Sequence, residues 1–238
     1  MNIDIIGMQK IIDTTGIGRP HLYTGIHKAL RKYMSAVLTS VGQLDADDDL
    51  QCREVMADVQ QLLDVLRGHV ETENTMVHPA IEARYPGALA GITAEHAGHE
   101  VAIEQLRHYA RTLLTISGKE RGAFALFLYR ELSSFVAENL EHMLREETQN
   151  QHLLWAAYSD AELQAIEEAI LASLPPEKMA VLLPWIVSAI SVEERLEMYQ
   201  GMRQAAPALV FDNALSVARS CLPAHAWEKL STALDVAN

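Results

Sequence analysis

Apolar residues recur every three or four positions along four long stretches of this chain, and no run alternates apolar and polar residues in the manner of a strand. The first stretch begins near Pro20, a residue favoured in an opening helical turn, and runs to about Val41 with Leu22, Ile26, Leu30, Tyr33, Val37 and Val41 on one face. Gly42 ends it, and the acids at 45–49 form a solvated loop suited to the start of the next helix. The second stretch turns Val55, Val59, Leu62, Leu66 and Val70 inward and is expected to end before Pro79, ahead of a Tyr85-Pro86-Gly87 turn. The third covers about 88–117, with Leu89, Ile92, Ile103, Leu106, Leu113 and Ile116 inward and Gly118 as its C-cap. The fourth runs from about 120 past 147, carrying Phe124, Phe127, Leu128, Leu132, Phe135 and Met143. Long helices joined by short links predict an all-α fold: an up-down-up-down four-helix bundle over residues 16–158, behind a short tail punctuated by Gly7, Gly16 and Gly18.

The character changes at Ser159. Ser159 with Glu162, and Ser191 with Glu194, have the spacing of capping boxes. Pro175, Pro176, Pro184, Pro207 and Pro223 divide the remainder of the chain into three or four shorter helices. Residues 159–238 therefore read as a smaller C-terminal helical extension, packed on the bundle or used as a homodimer contact or a surface for a protein partner.

Composition narrows the class. A chain of 238 residues buries a sizeable core, and 49% hydrophobic with 21% charged residues is ordinary for a soluble globular protein. The formal net charge of −13 argues against nucleic acid or an anionic membrane as the main partner. Two cysteines far apart, Cys52 and Cys221, make no disulfide framework, which fits a reducing cytoplasmic compartment. The N-terminus lacks the basic region of a signal peptide, and the longest uncharged apolar stretch, 179–192, contains Pro184 and is too short to span a bilayer.

The chemistry lies in a repeated pattern: a lone histidine, then a His-x-x-x-Glu pair. His27 precedes His69, which pairs with Glu73, by 42 residues; His96 precedes His142, which pairs with Glu146, by 46. Residues four apart share a helix face, so each pair offers a nitrogen and a carboxylate to one point. All four histidines fall on or beside the apolar stripe of their helix, where unpaired imidazoles and carboxylates are costly without a metal or a dense hydrogen-bond network. A helical scaffold with polar core histidines is the plain alternative. Imidazole with carboxylate suits iron, manganese or zinc, and no cysteine cluster supports a thiolate site. Two further His-x-x-x-Glu pairs occur: His96 with Glu100, and His78 with Glu82, which straddles Pro79 and reads as chance. Ferritin-like di-iron proteins use Glu-x-x-His with carboxylates dominant, the reverse of the order here.

Taken together, His27, His69, Glu73, His96, His142 and Glu146 resemble the ligand series of the haemerythrin-like (HHE) domain, over residues 16–158. The resemblance implies two iron ions bridged by Glu73, Glu146 and an oxide or hydroxide, with the four histidines as terminal ligands and one open position on each iron. Oxygen-carrying members have a fifth histidine four residues after the first on the third helix; here that position is Glu100. The resemblance therefore implies binding or turnover of a small oxidant (oxygen, peroxide or nitric oxide), by a di-iron oxidoreductase if the protein is an enzyme. Related domains in animal and plant ubiquitin ligases imply the other reading, an iron- or oxygen-sensing module acting through a protein partner. His99, Glu100 and Tyr23 are candidates for an extra ligand, or for orienting the ligands and moving protons.

Overall fold

The computed structural model describes residues 14–16 and 18–236, so Gly7 and most of the expected N-terminal tail lie outside the described residues. The bundle consists of α1 (Thr24–Gly42), α2 (Asp49–Thr72) continued by α3 (His78–Arg84), α4 (Ala90–Leu113), and α5 (Lys119–Arg145) continued by α6 (Gln151–Ala157). Five-residue π turns, Glu73–Val77 and Glu146–Asn150, join α2 to α3 and α5 to α6. Helix α1 packs on α2 and α5, and α4 packs on the same two, which closes the bundle. Among the described residues there is no strand.

Several boundaries that differ from the sequence expectation have a local cause. Helix α1 starts at Thr24, after Pro20, because the preceding backbone is held sideways: Pro20 O accepts from Trp155 Nε1 at 2.9 Å, and Leu22 N–H donates to Gln151 Oε1 at 3.0 Å. The second helix does not end before Pro79. The His78 N–H reaches back five residues to Glu73 O, and Pro79, lacking an N–H, sits in the first turn of α3 where little is lost. Gly118 lies at the N-cap of α5 with φ 62°, a conformation costly for other residues, and does not cap α4. Asp48 caps α2, accepting from Leu50 N and Gln51 N.

Two apolar clusters fill the bundle. The larger includes Leu30, Val59, Leu62, Leu66, Ile103, Leu106, Leu132 and Phe135; the smaller, at one end, includes Tyr23, Val77, Ile81, Ile92 and Leu154. Truncating one such buried leucine to alanine costs about 2–5 kcal/mol. Each of the four rods, counted with its continuation or flanking residue, contributes to both clusters, and the candidate ligands sit in the layer between.

The remaining helices are α7 (Asp160–Ser173), α8 (Pro176–Ala189), α9 (Val192–Ala205), α10 (Ala208–Cys221) and α11 (Ala224–Ala233). That is five segments against the three or four expected, and each begins sixteen residues after the last. Pro184 does not divide α8, since packing along α1 carries the helix past it; Trp185 stacks on Tyr33 with ring centroids 4.1 Å apart. Both capping boxes are formed. Helices α8 to α11 bury a separate small core around Val187, Tyr199, Phe211 and Leu230. No single helix among the described residues is long and apolar enough to cross a membrane.

Candidate metal centre

The six residues singled out by their spacing come together. Ligand atoms of His27, His69, Glu73 and Glu146 all lie within 4.8 Å of one another, and so do those of Glu73, His96, His142 and Glu146. The two groups share both carboxylates. Glu73 divides its oxygens between them: Oε1 lies 3.2 Å from His69 Nε2 and 3.5 Å from His27 Nε2, and Oε2 lies 3.5 Å from His96 Nε2. Glu146 Oε2 lies 3.2 Å from His142 Nε2 and 3.5 Å from His27 Nε2, and its Oε1 lies 3.6 Å from His96 Nε2. Glu73 and Glu146 are both at least 98% buried.

A layer outside the ligands sets which nitrogen of each ring faces inward. His27 Nδ1 donates to Glu147 at 3.1 Å, His142 Nδ1 to Glu95 at 2.7 Å, and His96 Nδ1 to Asn74 Oδ1 at 2.8 Å. Carboxylate and amide oxygens only accept, so the proton belongs on Nδ1 and the Nε2 lone pair is turned to the centre. Arg31 holds Glu147 and Arg145 holds Glu95 by ion pairs. Nothing in the spacing of the sequence identifies Glu95, Glu147 or Asn74, because each reaches a histidine on a different helix.

The donor set fits a metal on the evidence of its own unsatisfied atoms. Both oxygens of Glu73 and of Glu146, and Nε2 of His27, His69 and His78, are buried without a hydrogen-bond partner. Uncompensated buried anions cost several kcal/mol each, so positive charge belongs among them. Without metal, protons take that role. Burial opposes a charge on His27, yet Glu147 and Glu73 outweigh it and lift the ring to about 9. His142 is raised likewise, burial being overcome by Glu146 and Glu95. Burial alone would raise the Glu146 carboxyl, but the approach of His142, His78 and His96 drives it far below the usual carboxylate range. His69 is lowered to about 4, chiefly by burial.

Residues 20–153 match the family profile described as Hemerythrin HHE cation binding domain. That stretch is more than half of the chain. The protein belongs to the haemerythrin HHE cation-binding family. Among curated proteins it is similar to Zinc finger protein BRUTUS of Arabidopsis thaliana, 23% identical over 186 residues, covering 78% of this chain and 14% of the relative. A BRUTUS-like zinc finger protein of the same plant is 23% identical over 184 residues, covering 76% of this chain and 14% of the relative. This haemerythrin-type chain thus spans about one seventh of the length of those relatives. No solved structure matches it.

The remaining candidates divide. Tyr23 is fully buried with its ring centroid 5.4 Å from that of His27, and burial, then the charges of Glu73 and Glu146, keep its phenol protonated well above the ordinary range. His99 is buried with an unpartnered Nδ1 and packs edge-on to the His142 ring at 4.7 Å, outside both ligand groups; burial lowers it to about 4. Glu100, a candidate for an extra ligand or for orienting the ligands, does not reach the centre: it is exposed, because Ile92, His96, His99 and Ile103 take the buried face of α4. His78 corrects the reading of its pair as chance in one respect. Glu82 faces away and accepts from Gly87 N and Leu89 N, but His78 is buried with Nε2 3.7 Å from Glu146 Oε1.

Proposed function

We propose that this haemerythrin-type domain holds two non-haem irons, oxide or hydroxide bridged, and binds or turns over a small oxidant such as oxygen, peroxide or nitric oxide. The observation that carries this reading is the pair of donor groups sharing Glu73 and Glu146, whose four carboxylate oxygens are buried without a hydrogen-bond partner. His27 and His69 would hold one ion, His96 and His142 the other, and the two carboxylates would span both. Bound iron supplies the redox chemistry. The chain's residues orient the imidazoles through Glu147, Glu95 and Asn74, and exclude water with the clusters around Phe135 and Ile81. Tyr23 packs its ring beside His27 and keeps its phenol protonated.

A second reading has its own support. Buried carboxylates that need a cation make folding depend on loading, so the same centre suits an iron-sensing module that acts through a protein partner. Peroxide added to the iron-loaded protein separates the two. Sustained oxygen release that is lost in His142→Ala supports turnover. Metal-dependent stability without catalysis supports sensing and contradicts turnover.

A further inference from the structure

Spacing alone provides each proposed iron with two histidines, and the oxygen-carrier position on α4 is the exposed Glu100. Resting on the di-iron reading, we infer that His78 supplies the missing imidazole from α3, as a third nitrogen ligand to the ion held by His96 and His142. The two halves of the centre are then unequal. One has three imidazoles and two carboxylates from the chain; the other has two imidazoles and two carboxylates, and alone keeps a position open to a small molecule.

The backbone explains how His78 reaches the site. Residues five apart on a regular α-helix point about 140° away from each other. The π turn at Glu73–Val77 absorbs one extra residue per turn, so His78 returns to the face that carries Glu73. There its ring stacks on His96, centroids 4.8 Å apart and 15° from parallel. The two Nε2 atoms point at the same oxygen, Glu146 Oε1, at 3.7 Å and 3.6 Å. His78 is 6% exposed and its Nε2 has no hydrogen-bond partner. A buried imidazole nitrogen aimed at a carboxylate and bound to nothing is a ligand in waiting.

The second π turn shows that the asymmetry is written in the sequence. Five residues after Glu146 stands Gln151, where five after Glu73 stands His78. Gln151 is spent on the N-terminal segment, accepting from Leu22 N and donating to Pro20 O. The equivalent place on that side therefore offers the metal nothing.

Anaerobic titration of the metal-free full chain with iron(II), wild type against His78→Ala, tests this. Wild type is expected to take two irons, and the variant to bind one as tightly as wild type and the other at least about 10-fold more weakly. Both irons bound at wild-type affinity by the variant would overturn the role of His78 and leave the di-iron reading standing. A wild type that takes up fewer than two irons would overturn the di-iron reading beneath it. Mössbauer spectra of the iron-loaded wild type keep the test independent of the variant's folding: two distinct iron environments are expected, and a single one contradicts the inference.

Discussion

His96 and His142 bring their Nε2 atoms within 3.0 Å of each other across the bundle, while each commits its Nδ1 to an acceptor outside the cluster. Two inward lone pairs at that distance repel unless a cation lies between them or one ring takes a second proton. The raised affinity of His142 for a proton is the metal-free answer. A shared ion is the other.

The orientation of His142 depends on Glu95, which Arg145 holds at 2.8 Å. Replacing Glu95 with Gln removes the charge and lets the amide present a donor to Nδ1. Iron affinity should fall about 10–100-fold with little change in helix content. A chelator competition titration with circular dichroism checks both, and unchanged affinity would sink the role given to Glu95.

The metal-free protein should be most stable near pH 6.5. His69 and His99, both lowered to about 4, stay neutral when folded but take up protons when unfolded, so stability falls as pH drops from 6.5 toward 4. The depressed Glu146 acts in the same direction at lower pH. His27 runs the other way: its folded affinity is raised to about 9, so its contribution is complete below 6.5 and is lost as pH rises through 9. Urea unfolding across pH 4.5–9 reads this directly, and a flat profile would contradict it.

Metal uptake should therefore displace protons. At pH 7.5 His27 is protonated in the metal-free protein and must give up that proton to a metal. Calorimetry in buffers of different ionisation enthalpy is expected to show net release of at least about one proton per chain, reduced in His27→Ala. Zero release in wild type would mean that His27 is not a ligand.

Much of the fold and the centre is legible in the sequence, and the parts that are not have identifiable causes. Apolar periodicity predicts the bundle, and i, i+4 spacing on the same stripes predicts the six converging residues; a regular helix preserves both. His78 is hidden because Pro79 resembles a helix stop and because regular helical geometry turns position 78 away from position 73; only the π turn brings it back. Glu95 and Glu147 look like surface acids beside a ligand, since their partners are set by packing between helices. In the extension, Pro184 reads as a break, which conceals the sixteen-residue spacing of its helices.

The extension also braces the centre. Helix α8 lies along α1, the helix that carries His27, through the Trp185–Tyr33 stack and the Lys32 Nζ bond to Ser188 O at 3.0 Å; Lys28 pairs with Glu194 at 2.6 Å. Trp185→Ala should cost about 2 kcal/mol, less than the ~3–5 kcal/mol of a fully buried tryptophan, and should speed the loss of iron to a chelator. Thermal unfolding and release kinetics measure the two effects. Destabilisation with unaltered release would confine the extension to a structural role.

On the di-iron reading, imidazoles from α1, α2, α4 and α5 and two shared carboxylates would hold a pair of irons. Elemental analysis with near-ultraviolet absorption, on wild type and His142→Ala reconstituted side by side, is the most direct measurement. Two irons per chain with an oxide-bridge band that shifts on adding azide are expected for wild type, and at least one iron fewer with a weakened band for the variant. A wild type that emerges without iron, or a variant indistinguishable from it, would contradict the claim.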